Sequence, residues 1–140
     1  MKQLKSKFFA VLLVCVLAAM SCASRSEAIE VYVSNYSMQP MYFAFAREGA
    51  GNDTTTRGWY KVDMRTEKAI QVPFDYDPDD YYFWYATGGG KVWRGNDFTG
   101  WIHPTEAFKS ERGRRIPRGK QVGFRQLKVS KNGKAKFLFQ

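Results

Sequence analysis

The residues of this chain with the clearest chemical potential are aromatic side chains with arginines beside them. Residues 81–101 read YYFWYATGGGKVWRGNDFTGW. Tryptophans that share one solvent-facing side of a sheet form a platform on which a sugar ring or an apolar partner can stack, and arginine beside exposed aromatics is a common interface composition. The pattern predicts a ligand-binding site made of Trp59, Trp84 and Trp93, rimmed by Arg57 and Arg94. The alternative is that these rings fill the core.

Carboxylates offer a second chemistry. A glycosidase uses two carboxyl groups roughly 5–10 Å apart across a cleft. The candidates are Glu30, Glu48, Glu67, Glu106 and Asp97, which the sequence alone does not pair. No Gly-x-Ser-x-Gly motif occurs, and the single histidine, His103, has no evident catalytic partner. We therefore predict no catalytic residue and a non-enzymatic protein, with a glycan-directed hydrolase as the alternative.

Metal and cofactor sites are not expected. The run DYDPDD at 75–80 begins like a calcium loop, but Asp80 occupies the place of the sharp-turn glycine and Ala86 that of the last carboxylate. A charged turn is the simpler interpretation. A zinc site requires three or four His, Cys or carboxylate ligands, and one histidine does not supply them. We predict no metal and no cofactor.

Charge is unevenly distributed along the chain. Residues 29–108 contain 7 Lys/Arg and 11 Asp/Glu, whereas residues 109–140 contain 11 Lys/Arg and only Glu111 as an acid. The possible partners are a glycan, an envelope protein or an anionic lipid surface, including lipopolysaccharide. The predicted anionic-surface site consists of Arg112, Arg114, Arg115, Arg118 and Lys120. The alternative is a basic face that only keeps the protein soluble.

Residues 1–28 read as a secretory signal peptide. Lysines precede an unbroken apolar run at 8–20, and small residues follow it. We expect an exported protein, periplasmic or extracellular, and no nucleic acid partner. Both cysteines, Cys15 and Cys22, lie in this leader, so the mature chain has no disulfide. The residues before Cys22 also resemble a lipoprotein signal, which leaves open a lipid anchor on Cys22.

Residues 29–140 read as one all-β domain of about eight short strands, an antiparallel sandwich or flattened barrel. Predicted strands fall at 29–36, 41–46, 58–63, 69–74, 81–86, 92–93, 120–129 and 135–139. The triple glycine 88–90 predicts a hairpin turn, and Asn132-Gly133 a type I′ hairpin between the last two strands. Residues 47–57 are expected to form a loop, and 105–109 one short helical turn. Strand 81–86 is aromatic on both faces, so it is either buried on both sides or displays one.

The order of several short motifs resembles the small bacterial family catalogued as domain of unknown function 1036. The motifs are Asn35, Gly58-Trp59-Tyr60, the 81–86 strand, Trp93-Arg94-Gly95, Phe108, Arg118-Gly119 and Gly123-Phe124. The resemblance covers nearly all of the mature chain and implies a compact, β-rich exported domain without an assigned activity. The family usually has cysteines near positions where this chain has Ser34, Lys68 and the 98–101 region. No cysteine cross-link or metal role is therefore carried over.

Overall fold

The computed structural model describes residues 28–140 and consists almost entirely of β-strands. The strands are β1 (Ala28–Asn35), β2 (Met41–Glu48), β3 (Thr54–Val62), β4 (Thr66–Asp75), β5 (Tyr81–Gly88), β6 (Lys91–Trp93), β7 (Phe98–Ile102), β8 (Phe108–Glu111), β9 (Lys120–Gln126) and β10 (Lys134–Phe139). A single 3₁₀ turn at Ala50–Asn52 is the only helical element of the described residues. The predicted all-β class is confirmed, with ten strands where about eight were expected.

The strands form two sheets that pack face to face. The small sheet has the order β10-β1-β4, and the large sheet has the order β7-β9-β5-β2-β3-β8, with β6 also paired to β5. The large sheet curls into a nearly closed barrel. Thr56 Oγ1 of β3 donates a hydrogen bond to the Trp101 carbonyl of β7 at 3.0 Å, which links two strands that are not neighbours in the sheet. Both predicted architectures, sandwich and flattened barrel, are thus present in one fold.

Strand β5 of the large sheet is buried on both faces because a core cluster lies on each side of it. Tyr82 and Trp84 pack in the cluster between the two sheets. Phe83 and Tyr85, which alternate with them, pack in the cluster inside the barrel. The double-sided aromatic pattern is therefore that of a wall shared by two cores. Burial of each such ring contributes about 1.5–3 kcal/mol, so β5 stabilises both layers at once.

The last two strands do not form the predicted hairpin. After β9, which pairs with β5 and β7, the chain leaves the barrel. Strand β10 then pairs in parallel with β1 of the small sheet. The predicted type I′ turn does not form either. Such a turn needs a positive φ at both central residues, and Gly133 has one of 75° whereas Asn132 does not. The Gly133 N–H instead donates to the Ser130 carbonyl at 2.9 Å. The apolar side of β10 explains the crossover, because Ala135 and Phe139 are buried in the core between the sheets.

Two further local predictions are wrong. The expected loop at 47–57 is mostly strand, since Arg47 and Glu48 complete β2 and β3 begins at Thr54. Threonine is β-branched and favours strands, and Thr56 is buried in this one. The expected helical turn at 105–109 does not form either; the chain bends there and enters β8.

Candidate functional site

A mostly apolar cleft lies where the turn between β1 and β2, the β5–β6 hairpin and the end of β10 meet. Its volume is about 340 Å³. We call it the Trp93 cleft, and its lining residues are Tyr36, Ser37, Met38, Gln39, Met41, Gly88, Gly89, Lys91, Trp93, Phe139 and Gln140. A concave, largely apolar surface with a few polar groups is the usual form of a ligand site.

One buried asparagine shapes the turn that forms a wall of this cleft. Asn35 is 0% exposed. Its Nδ2 donates to the carbonyls of Gln39 at 2.9 Å, Asp63 at 3.2 Å and Val62 at 3.3 Å. Its Oδ1 accepts from the Ser37 N–H at 3.1 Å and the Ser37 hydroxyl at 2.6 Å. This one amide thus joins the β1–β2 turn to the β3–β4 turn and fixes the backbone that carries Tyr36 and Met38.

The glycine hairpin forms the opposite wall, and it confirms the predicted turn at 88–90. A Cβ on Gly88 would lie 2.6 Å from the Pro40 carbonyl oxygen. Gly89 has a φ of +58°, and a Cβ there would lie 2.8 Å from Gln39 Cγ. The hairpin therefore packs against the β1–β2 turn at a distance that only glycine permits.

Trp93 is one of three aromatic residues that line the cleft, together with Tyr36 and Phe139. Its ring meets Phe139 edge-on, with centroids 5.3 Å apart. The side chain is only partly buried, unlike Phe139 and most of the core beneath it. An apolar group that enters the cleft would therefore cover tryptophan surface that water still reaches.

The three predicted site tryptophans do not share a surface. Trp84 is 8% exposed and packs between the sheets, 4.5 Å from Phe137 by ring centroids. Trp59 packs against the barrel core, and its Nε1 donates to the His103 carbonyl at 2.8 Å. Only Trp93 lines the cleft. A register shift between Phe43 and Ala44 inserts Trp59 as an extra residue in β3, and alternation along a strand does not reveal such a bulge.

The two predicted rim arginines are also apart from the cleft. Arg57 lines a separate polar concavity of about 330 Å³ together with Arg47 and Lys109. Arg94 is exposed, and its carbonyl accepts a hydrogen bond from Arg125 Nε at 2.6 Å. Lys91 is the cation that does line the Trp93 cleft. Its place directly after the triple glycine was the available sequence signal.

The basic C-terminal region divides into two separate groups. The predicted cations Arg112, Arg114, Arg115, Arg118 and Lys120 are all exposed, in or beside the β8–β9 connection. Within it, the Arg115 guanidinium lies 5.8 Å from the centroid of the Trp101 ring. The second group follows β9 and consists of Lys128, Lys131, Lys134 and Lys136. The net charge of residues 109–140 does not distinguish the two groups, because the chain crosses from one sheet to the other within that range.

The five carboxylates of the hydrolase alternative line none of the five best-defined concavities among the described residues. Glu30 accepts from Gln71, Asp97 accepts from the Gln126 N–H, and Glu106 lies 3.8 Å from His103 Nε2. Neither these three nor Glu48 and Glu67 line the Trp93 cleft or the polar concavity beside Arg57.

The hydroxyls of Tyr36 and Tyr32 donate to Glu67 at 2.6 and 2.8 Å and lower its pKa. A glycosidase acid requires the opposite shift.

The aspartate turn and the histidine both have local structural partners. Asp77 Oδ1 accepts from the Asp79 N–H at 2.9 Å, and Asp80 forms an ion pair with Arg47 at 3.0 Å. His103 Nδ1 accepts from the Glu106 N–H at 2.9 Å and so closes the bend before β8. Within residues 28–140, no three His, Cys, Asp or Glu side chains are grouped so that they could hold a metal ion.

Comparison of the chain with protein-family models, curated proteins and solved structures finds no match. The resemblance to domain of unknown function 1036 therefore stays a prediction. Across residues 28–140, no helix has the length and apolar character needed to cross a bilayer. The predicted leader, apart from Ala28, and the candidate lipidation site at Cys22 lie outside the described residues.

Proposed function

We propose that the protein is a non-enzymatic binding module of the bacterial cell envelope and that the Trp93 cleft is its ligand site. The observation that carries this proposal is the cleft itself, a concavity of about 340 Å³ with mostly apolar walls and a partly exposed tryptophan. Ser37, Gln39 and Lys91 supply the polar groups that would orient a ligand. The predicted signal peptide supports the envelope location.

The ligand chemistry that fits best is an apolar or aromatic group attached to a polar chain. Such a group would stack on Trp93 and contact Met38, while Lys91 would face a carbonyl or carboxylate at the cleft mouth. A side chain of a partner protein meets this description, and a sugar ring is the alternative occupant.

Fluorine NMR tests the site directly, because the chain has four tryptophans and 5-fluorotryptophan gives each its own resonance. The probes are N-acetylphenylalanine amide and N-acetylleucine amide for a protein partner, and chitotriose for a glycan. We expect a saturable shift of the Trp93 resonance and an unchanged Trp59 resonance. Trp93→Ala should weaken binding at least about tenfold, as for an aromatic anchor, whereas Tyr81→Ala, at an exposed ring outside the cleft lining, should not.

Two outcomes would contradict the proposal. One is that none of the three probes produces a saturable shift at Trp93 up to its solubility limit. The other is an affinity for the probe that shifts Trp93, measured by calorimetry, that is unchanged in Trp93→Ala, since the ring would then not contribute to binding.

A second function, binding to an anionic lipid surface, is favoured by the cations around the β8–β9 connection. Among the described residues, none of Arg112, Arg114, Arg115, Arg118 and Lys120 has a carboxylate within 4.0 Å. The fraction of protein that sediments with phosphatidylglycerol vesicles should therefore fall steeply as salt is raised from 50 to 500 mM. It should also fall in a variant with three of these arginines changed to glutamine. Salt-insensitive sedimentation would rule this function out.

A further inference from the structure

Strand β10 has a free edge on the side away from β1. The Glu30 N–H donates to the Gly133 carbonyl and the Tyr36 N–H donates to the Phe139 carbonyl, both at 2.9 Å. With the parallel register of the pair, these bonds direct the backbone of Ala135, Phe137 and Phe139 toward β1 and that of Lys134, Lys136 and Leu138 away from it. The backbone carbonyl of Lys134 already has a partner, because it accepts a hydrogen bond from the Ser130 N–H at 2.9 Å.

The backbone groups of Lys136 and Leu138 have no hydrogen-bond partner within residues 28–140. These are two N–H donors and two carbonyl acceptors in a row, which is the template that an added strand requires. The other free edge of the small sheet, on β4, is a poorer template for an added strand, because β4 contains Pro73, which has no N–H to donate. In the barrel, β7 and β8 curl toward each other. The β10 edge is thus the accessible one.

The core beneath this edge is incompletely covered. Phe137, Trp93 and Val129 pack against the buried cluster between the sheets, yet each remains only partly buried. Phe137 lies 4.5 Å from Trp84 and 6.0 Å from Phe139 by ring centroids, so this row of partly buried side chains continues into the Trp93 cleft. The apolar side chains of an added strand would cover the row and exclude water from it.

Four lysines surround the same edge. Lys128, Lys134 and Lys136 line an open concavity of about 600 Å³, and Lys131 lies in the turn before β10. None of the four has a carboxylate within 4.0 Å among the described residues. Glu30, across the sheet from Lys134, is occupied by Gln71 Nε2 at 2.7 Å. The charge at this edge is therefore complementary to an acidic segment.

We propose that β10 accepts an extended acidic segment of a partner polypeptide as an additional strand. Side chains alternate along a strand, so apolar residues of the segment face Phe137 and Trp93 while acidic residues face Lys134 and Lys136. A second copy of this chain fits less well, because β10 against β10 would place lysines opposite lysines. The inference rests on the proposed binding function and specifies the partner as an extended acidic segment bound beside the Trp93 cleft.

The test uses acetylated octapeptides that alternate glutamate with phenylalanine, leucine or valine. We expect binding that shifts the fluorine resonance of Trp93 and protects the amides of Lys136 and Leu138 from hydrogen exchange. A peptide of the same composition without alternation should not protect them. Lys134→Gln and Lys136→Gln should each weaken binding up to about fivefold, whereas Lys120→Gln, in the other basic group, should leave it unchanged.

Two N-methylated versions of the peptide decide whether a strand is added. One is methylated on the glutamates and the other on the apolar residues, so that only one of them blocks the N–H groups that face β10. We expect one version to lose at least about tenfold in affinity through its missing hydrogen bonds and the other to bind nearly as well as the parent. Which one fails reports whether the added strand is antiparallel or parallel to β10.

The outcomes separate this inference from the proposed function. Equal affinity of the two methylated peptides, or no amide protection at Lys136 and Leu138, overturns strand addition. A saturable Trp93 shift in that same experiment would leave the Trp93 cleft as a ligand site. Peptide-independent dimerisation, measured by light scattering and abolished by Leu138→Pro, would assign the edge to a second copy and also overturn the inference.

Discussion

Replacement of Asn35 by alanine should destabilise the domain more than any other asparagine substitution. The amide has two N–H groups and one oxygen, and all three are used inside the protein, with Gln39, Val62 and Asp63 carbonyls on one side and Ser37 on the other. Truncation removes the Asn35 partner of at least two buried or partly buried polar groups, among them the Val62 carbonyl and the Ser37 N–H. At about 1–3 kcal/mol for each, the free energy of unfolding should fall by about 2–6 kcal/mol. For a domain of this size the melting temperature should fall by roughly 6–30 °C.

The measurement is urea unfolding followed by tryptophan fluorescence, with circular dichroism as a second probe. Asn96→Ala, at an exposed asparagine, is the matched control and should change stability by less than about 0.5 kcal/mol. Asn35→Asp should be at least as destabilising as Asn35→Ala, because a carboxylate oxygen would then face backbone carbonyls. A wild-type stability for Asn35→Ala, or an aspartate variant more stable than the alanine variant, would refute the role assigned to this amide.

Two other changes probe the core and the outer face. Trp84→Ala should cost about 3–5 kcal/mol in urea unfolding, because the side chain is 8% exposed, whereas Tyr81→Ala, at 59% exposure, should cost little; a fully stable Trp84→Ala protein would contradict burial. Tyr36 and Tyr32 lower the pKa of Glu67 in the folded state, so the stability contributed by this carboxylate is present above its unfolded pKa and is lost as pH falls through the folded one. Glu67→Gln should therefore reduce the drop in melting temperature between pH 6 and pH 3; an unchanged drop would contradict this.

The fold class could be read from the sequence because alternation and turn residues are local signals. The aromatic strand 81–86 and the triple glycine each formed the predicted element. The parallel pairing of β1 with β10 had no local signal, since it joins residues over 100 positions apart. What selects it is the match of inward faces, with Val31 and Val33 on one strand against Ala135 and Phe137 on the other.

The candidate site was only partly predictable for a related reason. Trp93 was predicted to share an aromatic face with Trp59 and Trp84, whereas the residues that line the cleft with it come from segments distant in sequence, such as Met38 and Phe139. Tryptophan content alone does not distinguish a ring that fills a shared wall, like Trp84, from one at the mouth of a cleft. That distinction depends on which strand covers each face.

The lysines of β10 have a second interpretation that bears on the strand-addition proposal. Exposed sheet edges commonly carry lysine because like charges prevent two copies from pairing. Lys134 and Lys136 would do this here, and the same charges attract an acidic segment. The partly buried row of Phe137, Trp93 and Val129 separates the two roles. A strand that only needs protection gains nothing from apolar surface beside its open hydrogen-bonding edge, whereas a strand that receives a partner requires both.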